Sequence, residues 1–541
     1  MKKHLFWLGA IAFVFAACSE DALTPDNKTE EPVAPEQPVV EPTYTTVNLA
    51  SFDGSQSRVT VVPESRDPKE GSLTLFAEIA NLSKEGKIEG FEKEGRYLSA
   101  TCVYFDKNSG KYYVTYHMQG NNYLTTQNNE TLGFIETFTL DQEGAPTVGK
   151  VYMAANPNEL SFDFNHLYFD QLNNDYLTYN GADAGSTRII AVGHKSEPSS
   201  KEGGKPNTAA IIGRLNLDVE PYSIDYETVY TGEKILDADG KSLGKVDAGD
   251  VNCVLRKSNY YYLATRKGIA VLNAKDDNLF IPIRNIGEDY QPVENSVYFV
   301  KTPGSAKHLS HIYTNSHFSL LYLEDHGNGE PAADSEAAAH IVNFSMDTGS
   351  GTLCGSNTSD SSTDGKGILD ASKITDFTTW SSSVNQYVLP ANVTPVDGKN
   401  VLAQDANGQL LAACLGKGGL YVFNSDAYKK EVVKFSDAEE GSRPVNGVFV
   451  ETYENVNGSR IADGFIYVAN GSCLTILDAG SLEKVAEYSA FGKDDKDASA
   501  NYVNVVKMDN STNGILPDRL ITVAYGQAGV KVFKFVPPTK K

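Results

Sequence analysis

The stretch NVLAQDANGQLLAACLGKGGLYVFNSD, residues 400–426, contains one complete motif of this chain. Asn400-Val401-Leu402 opens a short strand, Leu410–Leu415 reads as a second, and Gly419–Asp426 as a third that closes on an acid. Polar, glycine-bearing turns separate the runs, as antiparallel neighbours require. Val432–Phe435 then supplies a fourth strand.

The same unit recurs from about Tyr44 to Pro538. Its openings are Thr101-Cys102-Val103, Asn165-His166-Leu167, Asn252-Cys253-Val254, Asn295-Ser296-Val297, Asn400-Val401-Leu402, Asn446-Gly447-Val448 and Asn504-Val505-Val506. In the second and fourth units the next strand is read at Tyr176–Tyr179 and Leu309–Tyr313. The shortest spacings, 43 residues from Asn252 to Asn295 and 46 from Asn400 to Asn446, match one four-stranded blade. The last unit runs out at Pro537-Pro538, so its fourth strand is expected from Thr45–Leu49 or Arg58–Val62, which would leave no open sheet edge. One short helical pattern stands near Ala77–Lys87. The fold class expected is all-β: a seven-bladed β-propeller over residues 44–541.

Gly419-Leu420-Tyr421-Val422-Phe423-Asn424 and Cys473-Leu474-Thr475-Ile476-Leu477-Asp478 resemble the third-strand signature of LVIVD-type and YncE-like seven-bladed propellers, here those of Bacteroidota lipoproteins. The resemblance covers most of the chain after residue 95 and concerns architecture, not a catalytic family. Beyond the signal segment Trp380 is the sole tryptophan, so Trp-Asp repeats and quinoprotein docking motifs are absent.

The N-terminus sets the expected compartment. Lys2 and Lys3 precede the apolar run Leu5–Phe15, which is too short for a permanent span. Phe15-Ala16-Ala17-Cys18 resembles a lipobox, which implies a signal peptide over 1–17 and acylation of Cys18. Residues 18–43 are rich in Pro, Glu and Thr and read as a disordered tether. Ser19-Glu20-Asp21 resembles an acidic surface-export signal, so the protein is expected at the outer membrane, lipid-anchored and exposed on the cell surface.

The chain has 47 basic and 70 acidic residues, a net charge of −23. Without Lys2 and Lys3 the exported form carries about −25, which repels phosphate backbones and argues against nucleic acid as a partner. Cys102, Cys253, Cys354, Cys414 and Cys473 are odd in number and contain no CxxC pair; they read as small buried residues, not a disulfide framework.

No metal and no cofactor is expected. His308, His311, His317 and His326 lie close together, with His340 beyond, but on a strand His308 and His311 point to opposite faces and do not both chelate one ion without distortion. Asp237-Ala238-Asp239-Gly240-Lys241-Ser242 lacks the later ligands of a calcium loop and reads as a polar hairpin turn. No GxSxG, HExxH or phosphate-binding loop occurs, so catalytic residues are none.

The candidate ligand residues are Asn165, Asn252, Asn295, Asn400, Asn446 and Asn504, with Tyr123 and His326 on long loops of the same face. The repeated Asn admits two readings, a bond to the neighbouring blade or a ligand contact. The functional expectation is capture of a glycan, iron chelate or protein, beside a TonB-type outer-membrane transporter as the resemblance implies. The alternatives are a propeller-fold glycan hydrolase or lyase and an adhesive or structural propeller.

Overall fold

The strand Tyr97–Asp106 shows how each unit is built. It pairs antiparallel with Lys111–Gln119, Ala100 opposite Tyr116 and Cys102 opposite Thr115, so Thr101 is one residue in excess. Such a β-bulge kinks the strand and turns the extra side chain out of the sheet's own alternation. The computed structural model describes residues 44–53, 59–61, 71–81, 97–119, 133–171, 187–199, 206–280, 299–324, 339–346, 400–451, 464–490, 498–508 and 518–538, short gaps apart, with pairing segments at 353–354, 368–370 and 386–388. All regular elements among them are strands.

The antiparallel pairings group the strands into seven successive units, each termed a sheet. The seventh, first and second are hydrogen-bonded into one 14-stranded sheet, and Ile368–Asp370 adds a parallel pairing to the third. The first is Tyr97–Asp106, Lys111–Gln119, Phe134–Leu140 and Pro146–Ala154. The second is Ser161–Gln171, Thr187–Glu197, Asn207–Asn216 and Ser223–Thr228. Val251–Lys257, Tyr260–Thr265, Gly268–Asn273 and Phe299–Lys301 make the third. The fourth begins Gly304–His311, His317–Glu324, Ala339–Met346; Leu353–Cys354 and Gln386–Val388 share its outer edge. The fifth is Leu402–Gln404, Leu410–Cys414, Leu420–Asn424 and Lys429–Val433. The sixth is Val445–Val450, Phe465–Asn470, Cys473–Asp478 and Lys484–Ser489. Ala498–Lys507, Arg519–Gly526 and Val530–Val536 begin the seventh.

The fourth strand of the seventh sheet is Ser72–Ile79, from the N-terminal side of the chain, with Val59–Val61 outside it. The expected donors are thus displaced. Thr45–Asp53 edges two other sheets, pairing through Thr45–Asn48 with the second and through Leu49–Asp53 with the first. Ser72–Ile79 also replaces the start of the expected helix at Ala77–Lys87. A register shift between Leu75 and Ala77 breaks its period of two, so the apolar residues no longer alternate as in a regular strand.

Two other assignments move. The second strand of the second sheet is Thr187–Glu197, while Tyr176–Tyr179 lies outside the described residues. In the fourth sheet Leu309 to His311 belong to the opening strand, not the second. Asn295 lies outside the described residues, ahead of the last strand of the third sheet, so its 43-residue spacing from Asn252 is not a sheet period.

The core fills the spaces between successive sheets. One cluster joins Val192 and Ile212 of the second sheet to Tyr262 and Val271 of the third and Phe318 and Leu320 of the fourth. Others join the seventh, first and second, the fourth to sixth, and the sixth and seventh. Each fully buried Leu, Ile, Val or Phe contributes about 1.5–3 kcal/mol, so no sheet is stable without its neighbours. The opening strand of each sheet lies against that of the next, and that of the seventh lies against that of the first. No helix among the described residues is long and apolar enough to cross a membrane. Residues 1–43, with the expected signal, Cys18 and tether, are outside those described.

Candidate functional site at the opening strands

The bulge explains the repeated Asn. Register shifts place the extra residue at Thr101, Asn165, Asn252, Lys307 and Asn446 in the first, second, third, fourth and sixth sheets. At Thr101, Asn165, Asn252 and Asn446 the bulged side chain donates to the carbonyl just ahead of the next sheet's bulge or irregularity. Thr101 Oγ1 reaches Phe164 O at 2.9 Å and Asn165 Nδ2 reaches Val251 O at 3.0 Å. Asn252 Nδ2 reaches Ala306 O at 2.7 Å and Asn446 Nδ2 reaches Ala500 O at 3.0 Å. Asn has both a reach and a donor suited to this task, and Thr supplies the donor alone.

Asn400 and Asn504 make variants of the same link. Asn400 Nδ2 donates to Val448 O at 3.1 Å and Val503 O at 2.8 Å, spanning the sixth and seventh sheets. Gly447 leaves it room, since a Cβ there would lie 2.5 Å from Asn400 Oδ1. Asn504 Oδ1 accepts from Phe105 N at 3.3 Å and ties the seventh sheet to the first. Asn81, which the sequence reading passed over, does likewise: its Nδ2 donates to Leu98 O at 2.8 Å and Gly526 O at 3.1 Å. The fourth and fifth sheets are joined by Gln404 Nε2 donating to Ser319 Oγ. The five described candidate asparagines are therefore all engaged by neighbouring sheets. Asn295, Tyr123 and His326 lie outside the described residues.

The residue after the bulge faces a second environment. His166, Cys253 and His308 occupy this position in the second, third and fourth sheets, and their ligand atoms all lie within 4.8 Å of one another. They are 7 %, 1 % and 8 % exposed. The His166 and His308 rings meet edge to face at 5.9 Å, and Tyr502 of the seventh sheet lies 5.9 Å from His166. Burial pushes the His308 imidazole down to about 4, opposed by the Leu309 backbone, so it is neutral at pH 7. Burial pushes the Cys253 thiol up to about 12, with Cys102 of the first sheet adding to the rise. Burial and the same Cys102 raise Tyr502 far above the usual phenol range. The openings Thr101-Cys102, Asn165-His166 and Asn252-Cys253 already carried this signal one place after the repeated residue. His308 escaped because its bulge residue is Lys307.

Carboxylates in the core are held by cations and phenols. Asp170 pairs with Arg256 and accepts from Tyr261 Oη at 2.9 Å, between the second and third sheets. Glu451 takes Arg519 in a two-point pair at 2.8 and 3.0 Å and Tyr467 Oη at 2.7 Å, between the sixth and seventh. Cys102, Cys253, Cys414 and Cys473 are buried and free of disulfides.

One surface feature departs from this economy. Between the second and third sheets the chain makes a separate hairpin of Tyr230–Leu236 and Ser242–Asp247. Its turn is closed by Asp237, whose Oδ1 accepts from Asp239 N at 3.1 Å and Lys241 N at 2.7 Å, while Gly240 adopts φ +79°. That carboxylate caps its own turn, as a polar hairpin requires. Beside it Ile235, Leu236 and Leu243 are each at least half exposed. No protein-family model matches the chain, and the search of curated proteins finds no match.

Proposed function

We propose that this chain is an exported, lipid-anchored seven-bladed β-propeller that binds a protein partner through the hairpin of residues 230–247. The cyclic contact of seven opening strands supports the ring, and the likeness of Gly419–Asn424 and Cys473–Asp478 to LVIVD-type propellers agrees with it. The lipobox-like Phe15–Cys18 supports the anchor.

The observation that carries the binding reading is the apolar tip. Ile235, Leu236 and Leu243 stand out from a two-stranded hairpin that has only two strands of its own. Large apolar side chains flanked by Glu233, Lys234, Asp237 and Lys245 have the composition of a contact patch: an apolar centre with a charged rim. A TonB-type outer-membrane transporter would be such a partner, with a glycan or iron chelate as shared cargo.

The experiment is site-specific photocross-linking on intact cells of the source bacterium. A photoreactive residue at Leu236 or Leu243 is expected to give one discrete adduct. The same residue at Val432, exposed on the last strand of the fifth sheet, is expected to give none. Identical cross-linking from all three positions, or from none, would contradict the reading.

A further inference from the structure

We propose that His166, Cys253 and His308 form a binding site for one transition-metal ion of the zinc class. The three side chains come from the same position of three consecutive opening strands, each directly after a bulge, and converge in the core. A thiolate with two imidazoles is a donor set that suits Zn²⁺ and excludes hard ions such as Ca²⁺ and Mg²⁺. In a tetrahedral zinc site the ligand atoms lie about 3.3–3.8 Å apart, so the present cluster closes on an ion by a shift of about 1 Å.

A second observation points the same way. His308 is in the core, yet among the described residues neither Nδ1 nor Nε2 makes a hydrogen bond of good geometry. A buried imidazole with both nitrogens unused is costly, and a metal bond from one of them relieves that cost. The ion would then cross-link the second, third and fourth sheets where their opening strands converge, a structural role distinct from the hairpin. On binding, Cys253 releases its proton to solvent and coordinates as thiolate.

The test uses full-length protein made in cobalt-supplemented medium and purified in detergent without chelator. The wild type is expected to retain about one Co²⁺ per chain, with thiolate-to-cobalt charge-transfer and tetrahedral d–d bands. Cys253→Ser should abolish the charge-transfer band or sharply weaken it. His308→Gln should lower affinity by more than about 100-fold, beyond what loss of an outer-shell partner brings. Cys414→Ser, a buried thiol of the fifth sheet, should leave metal content and spectrum unchanged. Should Cys253→Ser not fold, the wild-type metal content and the His308→Gln variant decide the matter. Wild-type protein without cobalt, or bands that survive intact in Cys253→Ser or His308→Gln, would overturn the proposal.

Discussion

Asn446 has no exposed surface, and its amide bonds the carbonyl of Ala500 across to the seventh sheet. Removing the amide leaves a buried acceptor short of a partner, so Asn446→Ala should cost about 1–3 kcal/mol in urea unfolding. Thr101→Val tests the same link where Thr takes the place of Asn. The hydroxyl also meets Thr115 Oγ1 at 2.8 Å, and a similar loss is expected. A loss within experimental error in both variants would contradict the linking role. Gly447 and Asn400 are coupled by contact, so Gly447→Ala should destabilise by about 1–3 kcal/mol in the wild type. It should cost less in an Asn400→Ala background, because the clashing oxygen is gone; strict additivity would exclude the contact. The repeated Asn was visible in the sequence, with a bond to the neighbouring blade as one of its two readings, but the bulge behind it was not. A bulge is a register mismatch between two strands, and one strand's residues do not disclose it. For the same reason Asn295 looked like an opening residue while Lys307, the actual bulge, did not.

The strands most easily read were those buried on both faces, such as Leu410–Cys414 and Phe465–Asn470, whose apolar runs admit little else. Edge strands were harder. Ser72–Ile79 is only partly buried over its first five residues, and its bulge hides the alternation. Ser223–Thr228, the last strand of the second sheet, carries a titrating group that reports on its packing. Burial raises Glu227 to about 7 against an ordinary 4.5, with Lys245 and Lys195 opposing the rise. A folded-state pKa above the unfolded one means that the folded protein holds the proton more tightly. The associated stability is present below pH 4.5 and lost as pH rises through 7. Glu227→Gln should therefore melt at a higher temperature than wild type at pH 8 and at nearly the same temperature at pH 4. An equal difference at both pH values would show that the carboxyl is not desolvated in the fold.

The opening strands contact one another in a circuit, and the seventh sheet takes one strand from the opposite end of the chain. Ser72–Ile79 completes the sheet that Val530–Val536 would otherwise leave open, and Ala77 and Ile79 are fully buried in doing so. The sequence supports closure from the N-terminal side but not by which segment, since several short strands compete and pairing energy is spread over many weak contacts. Anchoring is a separate matter from closure: Cys18→Ala should abolish fatty-acid labelling and leave thermal stability unchanged, and a labelled variant would contradict acylation at that thiol. The closure itself is open to a direct measurement. Thr74 and Lys534 stand opposite each other in the register, and neither is fully buried. A Thr74→Cys/Lys534→Cys variant should form an intramolecular disulfide on mild oxidation, and the oxidised form should melt at a higher temperature than the reduced one. A folded variant whose two new thiols stay reduced under the same oxidation would show that the seventh sheet is not completed by this strand.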